Sequence, residues 1–321
     1  MKTENRYFIF DNPIPNAWKR RAKAIQLNSR AILAKARMNR IRLNPAEKKY
    51  RVSVCAIFRN EAPYFKEWLT WHELVGVDHF YLYDNKSTDD FREELAPFID
   101  RGLVTLVDWP YDQKQMECYT DCIARFREET NWLGFIDLDE FIVPKAMDSV
   151  YDFLKPFEKK RGSVCIYWRL YGSSGRLDRD LSGLVTEDFT VCWPKYCDIG
   201  KCFYNTAFDF NAESDHVVGM HHLLWSSMNG KELPPVNFED RVCMDNRNSV
   251  HTADFPIQIN HYFTKSWTEY AMKRSKGDVF FTVNPHDEAY FFRHEMPCTG
   301  TDYSAYRWLI RLKLALEKNH G

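Results

Sequence analysis

Three carboxylates, Asp137, Asp139 and Glu140, sit inside "LGFIDLDEFIVP" (residues 133–144), a run whose other side chains favour burial. An ionised carboxylate loses its hydration in a core and is rarely buried without a partner. Either the chain turns out to solvent here, or a cation sits on these side chains. Asp137 and Asp139 are two apart, so in an extended chain they share a face while Leu138 points back inward. Two like charges on one face repel, and a site that keeps both ionised usually holds a divalent cation. Oxygen ligands select Mg2+ or Mn2+, ions that join protein carboxylate to substrate phosphate. A D-x-D pattern also occurs by chance in acidic loops; its place after a buried apolar run is what favours a site.

Two further stretches could do chemistry. In "YLYDNKSTDD" (residues 81–90), Asp84 closes an apolar run, and Asn85, Ser87 and Thr88 favour a turn before a helix capped by Asp89 or Asp90. An Asp so placed can accept hydrogen bonds from a base or ribose, although a plain strand–turn–helix junction uses the same residues. In "WRLYGSSG" (residues 168–175), Trp168 and Tyr171 offer faces for a sugar ring, and Ser173 and Ser174 lie between glycines that permit close backbone approach. A β-turn explains those glycines equally well.

These groups need a frame. From residue 51 short β-branched runs alternate four times with segments of helical period, the pattern of an α/β fold with a mostly parallel sheet flanked by helices. Such sheets bind ligands beyond the carboxyl ends of their strands. Those ends carry Asn60 and Glu61, then Asp84 and Asn85, then Asp108, then Asp137 and Asp139, so polar groups gather on one rim.

Residues 1–50 form a separate, basic extension. Between residues 19 and 51 stand twelve Lys or Arg and one acid, Glu47, in an Ala-rich segment expected to be helical until Asn44-Pro45. Trp18, Ala22, Ile25, Ile32 and Ala36 recur at helical spacing with basic residues between them. That suits a solvated helix lying on the domain, or a helix lying on an anionic membrane surface through residues 17–51, with nucleic acid the weaker candidate. Over the whole chain 44 Lys plus Arg nearly cancel 45 Asp plus Glu, so net charge points to no partner class. No apolar run is long enough to span a bilayer, and the N-terminus lacks a signal-peptide core. The nine cysteines stand singly in apolar segments without zinc spacing, as buried thiols do, which points to a reducing, cytoplasmic compartment with peripheral membrane contact as an option.

Four blocks in order, the segment from "CAIFRNEAPYF" to "NKSTDD", then "GFIDLDEFIVP", "YWRLYGSSG" with "GLVTEDFT", and "INHYFTKSWTEYAMKRSKGD", resemble those of glycosyltransferase family 92, a relative of the large family 2 class. The resemblance covers about residues 51 to 280. It implies an A-type nucleotide-sugar transferase fold, Rossmann-like, with a nucleotide-binding half at about 51–145 and an acceptor-binding half at about 146–321. It also implies inversion at the anomeric carbon, a UDP-hexose donor (galactose by family habit) and a glycan or glycolipid acceptor. Carried over by position, Asp137 and Asp139 match the metal pair, and Asp84 matches the nucleoside-binding acid. Arg59, Asn60 and Glu61 line the first rim. His261 matches a further Mn2+ (or Mg2+) ligand, and Lys265 a partner for the diphosphate. In addition, "SWTE" reads as a capping box that starts a helix behind Lys265. Lys201, in "KCFYNTAF", matches a later family Lys loosely, and Arg176 stands where the family often has His. Glu187 and Asp215 are the candidate catalytic bases, and Glu140 supports the metal pair from behind.

Two other classes compete. "DLDEF" also fits a haloacid-dehalogenase-like phosphatase, which however wants Thr or Val at Phe141 and places the motif at the start of its domain. A non-catalytic binding protein acting through the basic extension leaves the rim acids without a purpose.

Overall fold

The structure, a computed structural model, describes residues 2–4, 9–11, 15–197, 199–213, 221–244, 255–275 and 286–318. Helix α1 (Ala17–Met38) precedes an alternation of strand and helix: β1 (Tyr50–Phe58), α2 (Ala62–Leu74), β2 (His79–Asp84), α3 (Phe91–Asp100), β3 (Val104–Asp108), α4 (Gln115–Phe126) and β4 (Thr130–Phe135). Four more strands, β5 (Glu140–Pro144), β6 (Ser163–Leu170), β7 (Gly200–Asn205) and β8 (Ile257–His261), complete one eight-stranded sheet in the order β3-β2-β1-β4-β7-β6-β8-β5. β1 to β4 are mutually parallel, β7 runs antiparallel to β4 and β6, and β8 is parallel to β6 but antiparallel to β5. This is the mostly parallel α/β architecture expected, and strands from both halves of the chain share the one sheet.

The register builds the rim. Asp84 lies opposite Phe58 on one side and Asp108 on the other, so the ends of β1, β2 and β3 are level. The loops above them are tied together. The Asn60 amide donates to Ser87 Oγ at 3.0 Å, the Thr88 amide donates to Asn60 Oδ1 at 2.7 Å, and the Ser87 amide donates to Asp84 Oδ1 at 2.8 Å. Asp89 corrects one expectation: its carboxylate accepts the Ala62 amide at 2.9 Å and so caps α2 across the loop, while Asp90 precedes α3 without a side-chain cap.

Helix α1 departs from expectation twice. It ends at Met38 rather than at Pro45, where other bonds take over: the Arg42 guanidinium donates locally to the carbonyls of Asn39 and Ile41, and the Leu43 amide makes a tertiary bond to the Lys159 carbonyl at 3.0 Å. It also docks through a different face. Ala24, Leu27, Ala31, Ala34 and Met38 are buried at three- and four-residue spacing, whereas Trp18, Ala22, Ile25, Ile32 and Ala36 face solvent. Small alanines let the helix axis approach the domain closely.

An ionic clamp secures the end of α1. Arg161 donates to both Asp240 oxygens at 2.6 and 2.7 Å and to Asn39 Oδ1 at 2.8 Å, and the Lys35 ammonium pairs with Asp240. Burial pushes the Asp240 carboxyl up, but Arg161 and Lys35 outweigh it and hold it below the usual carboxylate range. A depressed folded pKa means that the clamp's contribution is complete above an unfolded Asp value of about 3.9 and is lost as pH falls through the folded one. We expect Asp240→Asn to raise the amide exchange rate of residues 30–38 severalfold at pH 7, as the native protein does only in acid. Unchanged exchange in the variant would show that the clamp holds nothing.

Candidate functional site

Asp137 and Asp139 lie in a tight turn between β4 and β5, not in an extended strand, and Glu140 opens β5. The Glu140 amide donates to the Asp137 carbonyl at 3.1 Å, and the Asp137 amide donates back to Glu140 Oε2 at 2.9 Å. Leu138 points into the core, 4% exposed. Helix α2 holds this turn from behind with residues at i, i+3 and i+4. Trp68 Nε1 donates to the carbonyls of Asp137 and Glu140, Trp71 Nε1 donates to the Ile142 carbonyl at 2.8 Å, and the Ile142 amide donates to His72 Nε2 at 3.1 Å. Since His72 Nε2 accepts, its proton sits on Nδ1, which donates to the Trp68 carbonyl at 2.8 Å. Burial lowers the His72 pKa to about 3 and keeps that neutral tautomer.

Each aspartate carries an ammonium. Lys201 Nζ lies 2.8 Å from Asp137 Oδ2 and 3.5 Å from Glu140 Oε2, and Lys273 pairs with Asp139. Burial alone would lower Lys201, yet Asp137 and Glu140 outweigh it and its pKa is raised. For Asp139 burial acts upward, while Lys273, His261 and Lys265 overcome it and hold the carboxyl well below the usual range. Glu140 goes the other way: complete burial, with Asp137 and Asp139 adding repulsion, pushes its pKa far up despite Lys201.

Of the opening alternatives, the chain turns but not out to solvent, since Asp139 and Glu140 are buried, and the cations that sit on the acids are the lysine ammoniums.

His261, at the end of β8, presents Nε2 to Asp139 Oδ1 at 3.6 Å and Nδ1 to Glu140 Oε1 at 4.0 Å. Both His261 Nδ1 and Glu140 Oε1 are buried without a hydrogen-bond partner. The Trp168 ring packs 4.6 Å from the His261 ring and 5.6 Å from the Lys201 ammonium. Beside this cluster lies a cleft lined by Glu61, Tyr64, Phe263, Thr264, Lys265, Glu269, Met272 and Lys273. The Lys265 ammonium sits 3.8 Å over the Tyr64 ring, on a residue with the left-handed φ of 50°. Burial lowers its pKa against the pull of Glu61 and Asp139. Immediately after it the capping box forms: the Ser266 amide donates to Glu269 Oε2 at 3.1 Å and the Glu269 amide to Ser266 Oγ at 3.3 Å, starting α5 (Trp267–Ser275).

The sequence-derived residues separate into groups. Asp137, Asp139, His261, Lys201 and Trp168 converge, and Glu61 and Lys265 line the adjoining cleft. Arg59, Asn60 and Asp84 stand on the rim above β1 and β2, Asp84 being bound to its own turn. Lys201 is a correction: at 0% exposure it stands behind the acids and cannot reach a donor. Tyr171 is also corrected, since it is 1% exposed with its ring against Tyr262 and offers no face for a sugar. Ser173 and Ser174 are spent on structure. Ser173 donates its amide and hydroxyl to Glu295, and Ser174 Oγ accepts the amides of Thr190 and Val191. Glu187, in the short helix Val185–Asp188, pairs at 2.6 Å with Lys313 of α6 (Tyr306–Lys318), outside the cluster. Asp215 lies outside the described residues.

Lys273 and Tyr64 escaped the sequence reading. For Lys273 a usable signal existed: it falls four residues after Glu269 of the capping box and shares its face of α5.

The donors at the turn suit a small divalent ion. Two ligands about 2.1 Å from one ion lie roughly 3 Å apart, close to the observed Asp139–His261 separation. Among the described residues no group of three His, Cys, Asp or Glu is gathered to hold a metal alone. Asp139 and His261 are thus a pair of possible ligands and not a closed protein cage.

A family model described as Glycosyltransferase family 92 matches residues 48–277. The chain belongs to glycosyltransferase family 92. A family 92 protein of Oryza sativa subsp. japonica is 34% identical over 143 residues, 43% of this chain and 24% of that one. A beta-1,4-galactosyltransferase of Caenorhabditis elegans is 30% identical over 116 residues, 32% of this chain and 27% of that one. The matched region is thus about a quarter of these relatives' own length. Among solved structures, S. aureus TarS aligns with a TM-score of 0.39 at 11% identity, covering 84% of this chain and 80% of that one. Family membership removes the phosphatase alternative, and the D-x-D of this family 92 chain follows the fourth strand rather than opening the domain.

Proposed function

We propose that this family 92 chain is a metal-dependent, inverting glycosyltransferase that moves galactose from UDP-galactose to a hydroxyl of a glycan or glycolipid. The observation that carries the reading is Asp139 Oδ1 facing His261 Nε2 at 3.6 Å, on the strand-end rim beside a lysine-lined cleft. Relatives named as galactosyltransferases support the sugar. Residues 51–145 take the nucleotide and residues 146–321 the acceptor. Asp84, with Arg59 and Asn60, holds the nucleoside at the ends of β1 and β2. Asp137, Asp139 and His261 hold Mn2+ or Mg2+, which supplies positive charge against the departing diphosphate.

The protein's own groups do the rest. Lys265 faces the diphosphate across the cleft, and its lowered pKa reflects a desolvated ammonium that an anion would restore. Lys273, whose side chain is 39% exposed, can leave Asp139 and follow the phosphates. Trp168 borders the reacting sugar. Asp215 takes the proton from the acceptor hydroxyl, Glu187 being engaged by Lys313. Residues 17–51 meet an anionic surface. A cytoplasmic, reducing setting is supported by the nine cysteines, which all stand as free thiols.

Calorimetry with UDP-galactose tests the reading. We expect binding to tighten at least about tenfold with Mn2+ present and to weaken with GDP- and dTDP-sugars. Equal affinity with and without metal, or no binding of any UDP-sugar, overturns it.

A further inference from the structure

Helix α1 has two apolar faces, and among the described residues the domain covers one of them. Ala24, Leu27, Ala31, Ala34 and Met38 are buried, while on the opposite side Trp18, Ile25, Ile32 and Leu33 are 79%, 59%, 45% and 66% exposed. Trp18, Ile25 and Ile32 are seven apart, close to two helical turns, so they form one stripe along the helix. Lys19, Arg21, Arg30 and Arg37, all exposed, flank it. No Asp or Glu occurs between residues 12 and 46. An exposed apolar stripe of this length is costly in water unless something covers it.

We propose that the outward face of α1 lies in the surface of an anionic bilayer, with Trp18, Ile25 and Ile32 among the acyl chains and the basic side chains at the phosphates. This deepens the contact of residues 17–51 with an anionic surface, and rests on it, by naming the face that enters. Charge decides the occupant. A second copy of α1 would bring two rows of Lys and Arg together, whereas lipid phosphates complement them. The inner face is fastened by Arg161, Asp240 and Lys35, so contact fixes how the whole domain stands on the membrane instead of tethering it loosely. No helix among the described residues is long and apolar enough to cross a membrane, and a helix lying in the surface needs no such length.

The test is co-sedimentation of the full chain with vesicles of phosphatidylcholine containing 30 mol% phosphatidylglycerol, against pure phosphatidylcholine. The native protein is expected to pellet with the anionic vesicles only. Ile25→Asp/Ile32→Asp should weaken that binding by about tenfold or more, and Arg21→Gln/Arg30→Gln should weaken it further in salt. Both isoleucines are exposed, so the melting temperature and UDP-galactose binding should stay unchanged in the variant. A variant that pellets like the native protein overturns the stripe but leaves the basic segment's contact standing. A native protein that ignores anionic vesicles overturns both. A stripe variant that turns a dimer into a monomer in light scattering overturns the bilayer in favour of self-association.

Discussion

Asp139→Asn is expected to lower kcat/KM for galactose transfer by a factor on the order of 100 to 1000, the usual cost of one charged partner at a site of developing charge. Two physical accounts of that loss are separable. If Asp139 matters because it holds an ion against the diphosphate, Lys273→Ala should leave Mn2+ binding intact or tighter, since Lys273 competes for Asp139. If Asp139 matters only as the anchor of Lys273, the two variants should lose activity alike and Mn2+ affinity should not change. Calorimetric titration of Mn2+ into each variant with UDP present decides this. Identical metal affinity in native protein and Asp139→Asn would end the metal-site reading.

Lys201→Met is expected to destabilise the fold by about 3–5 kcal/mol, because it removes one partner of a fully buried pair and strands the other. Both Lys201 and Glu140 side chains are 0% exposed, so no water replaces the ammonium. Protonating Glu140, whose pKa burial already raises, relieves the charge stranded on that buried side chain. The variant's deficit should therefore shrink as pH falls, and Lys201→Met/Glu140→Gln should recover much of it. Urea denaturation of the single and double variants measures both effects. A single variant within about 1 kcal/mol of native, or a double variant no better than the single, contradicts the buried-pair account.

The alternation of β-branched runs and amphipathic segments after residue 51 specifies a parallel sheet, because local period and burial are properties of neighbouring residues. The rim followed from the same logic: Asn60, Asp84, Asp108 and the "DLDE" turn stand where strands end, and the level ends of β1, β2 and β3 bring the first three together. Ser266 and Glu269 were legible too, a cap being a contact three residues long.

What only the tertiary structure decided were partnerships between distant segments. Nothing near Asp137 announces Lys201, 64 residues away, or near Asp139 announces Lys273, 134 residues away. Tyr171, Ser173 and Ser174 show the reverse: types suited to sugar contact that packing, Glu295 and the amides of Thr190 and Val191 consumed in turn. In α1, composition gave a helix with apolar residues all round. Which stripe docks was settled by the surface that Arg161 and Asp240 present to it, because a helix's own sequence does not contain the shape of its neighbour.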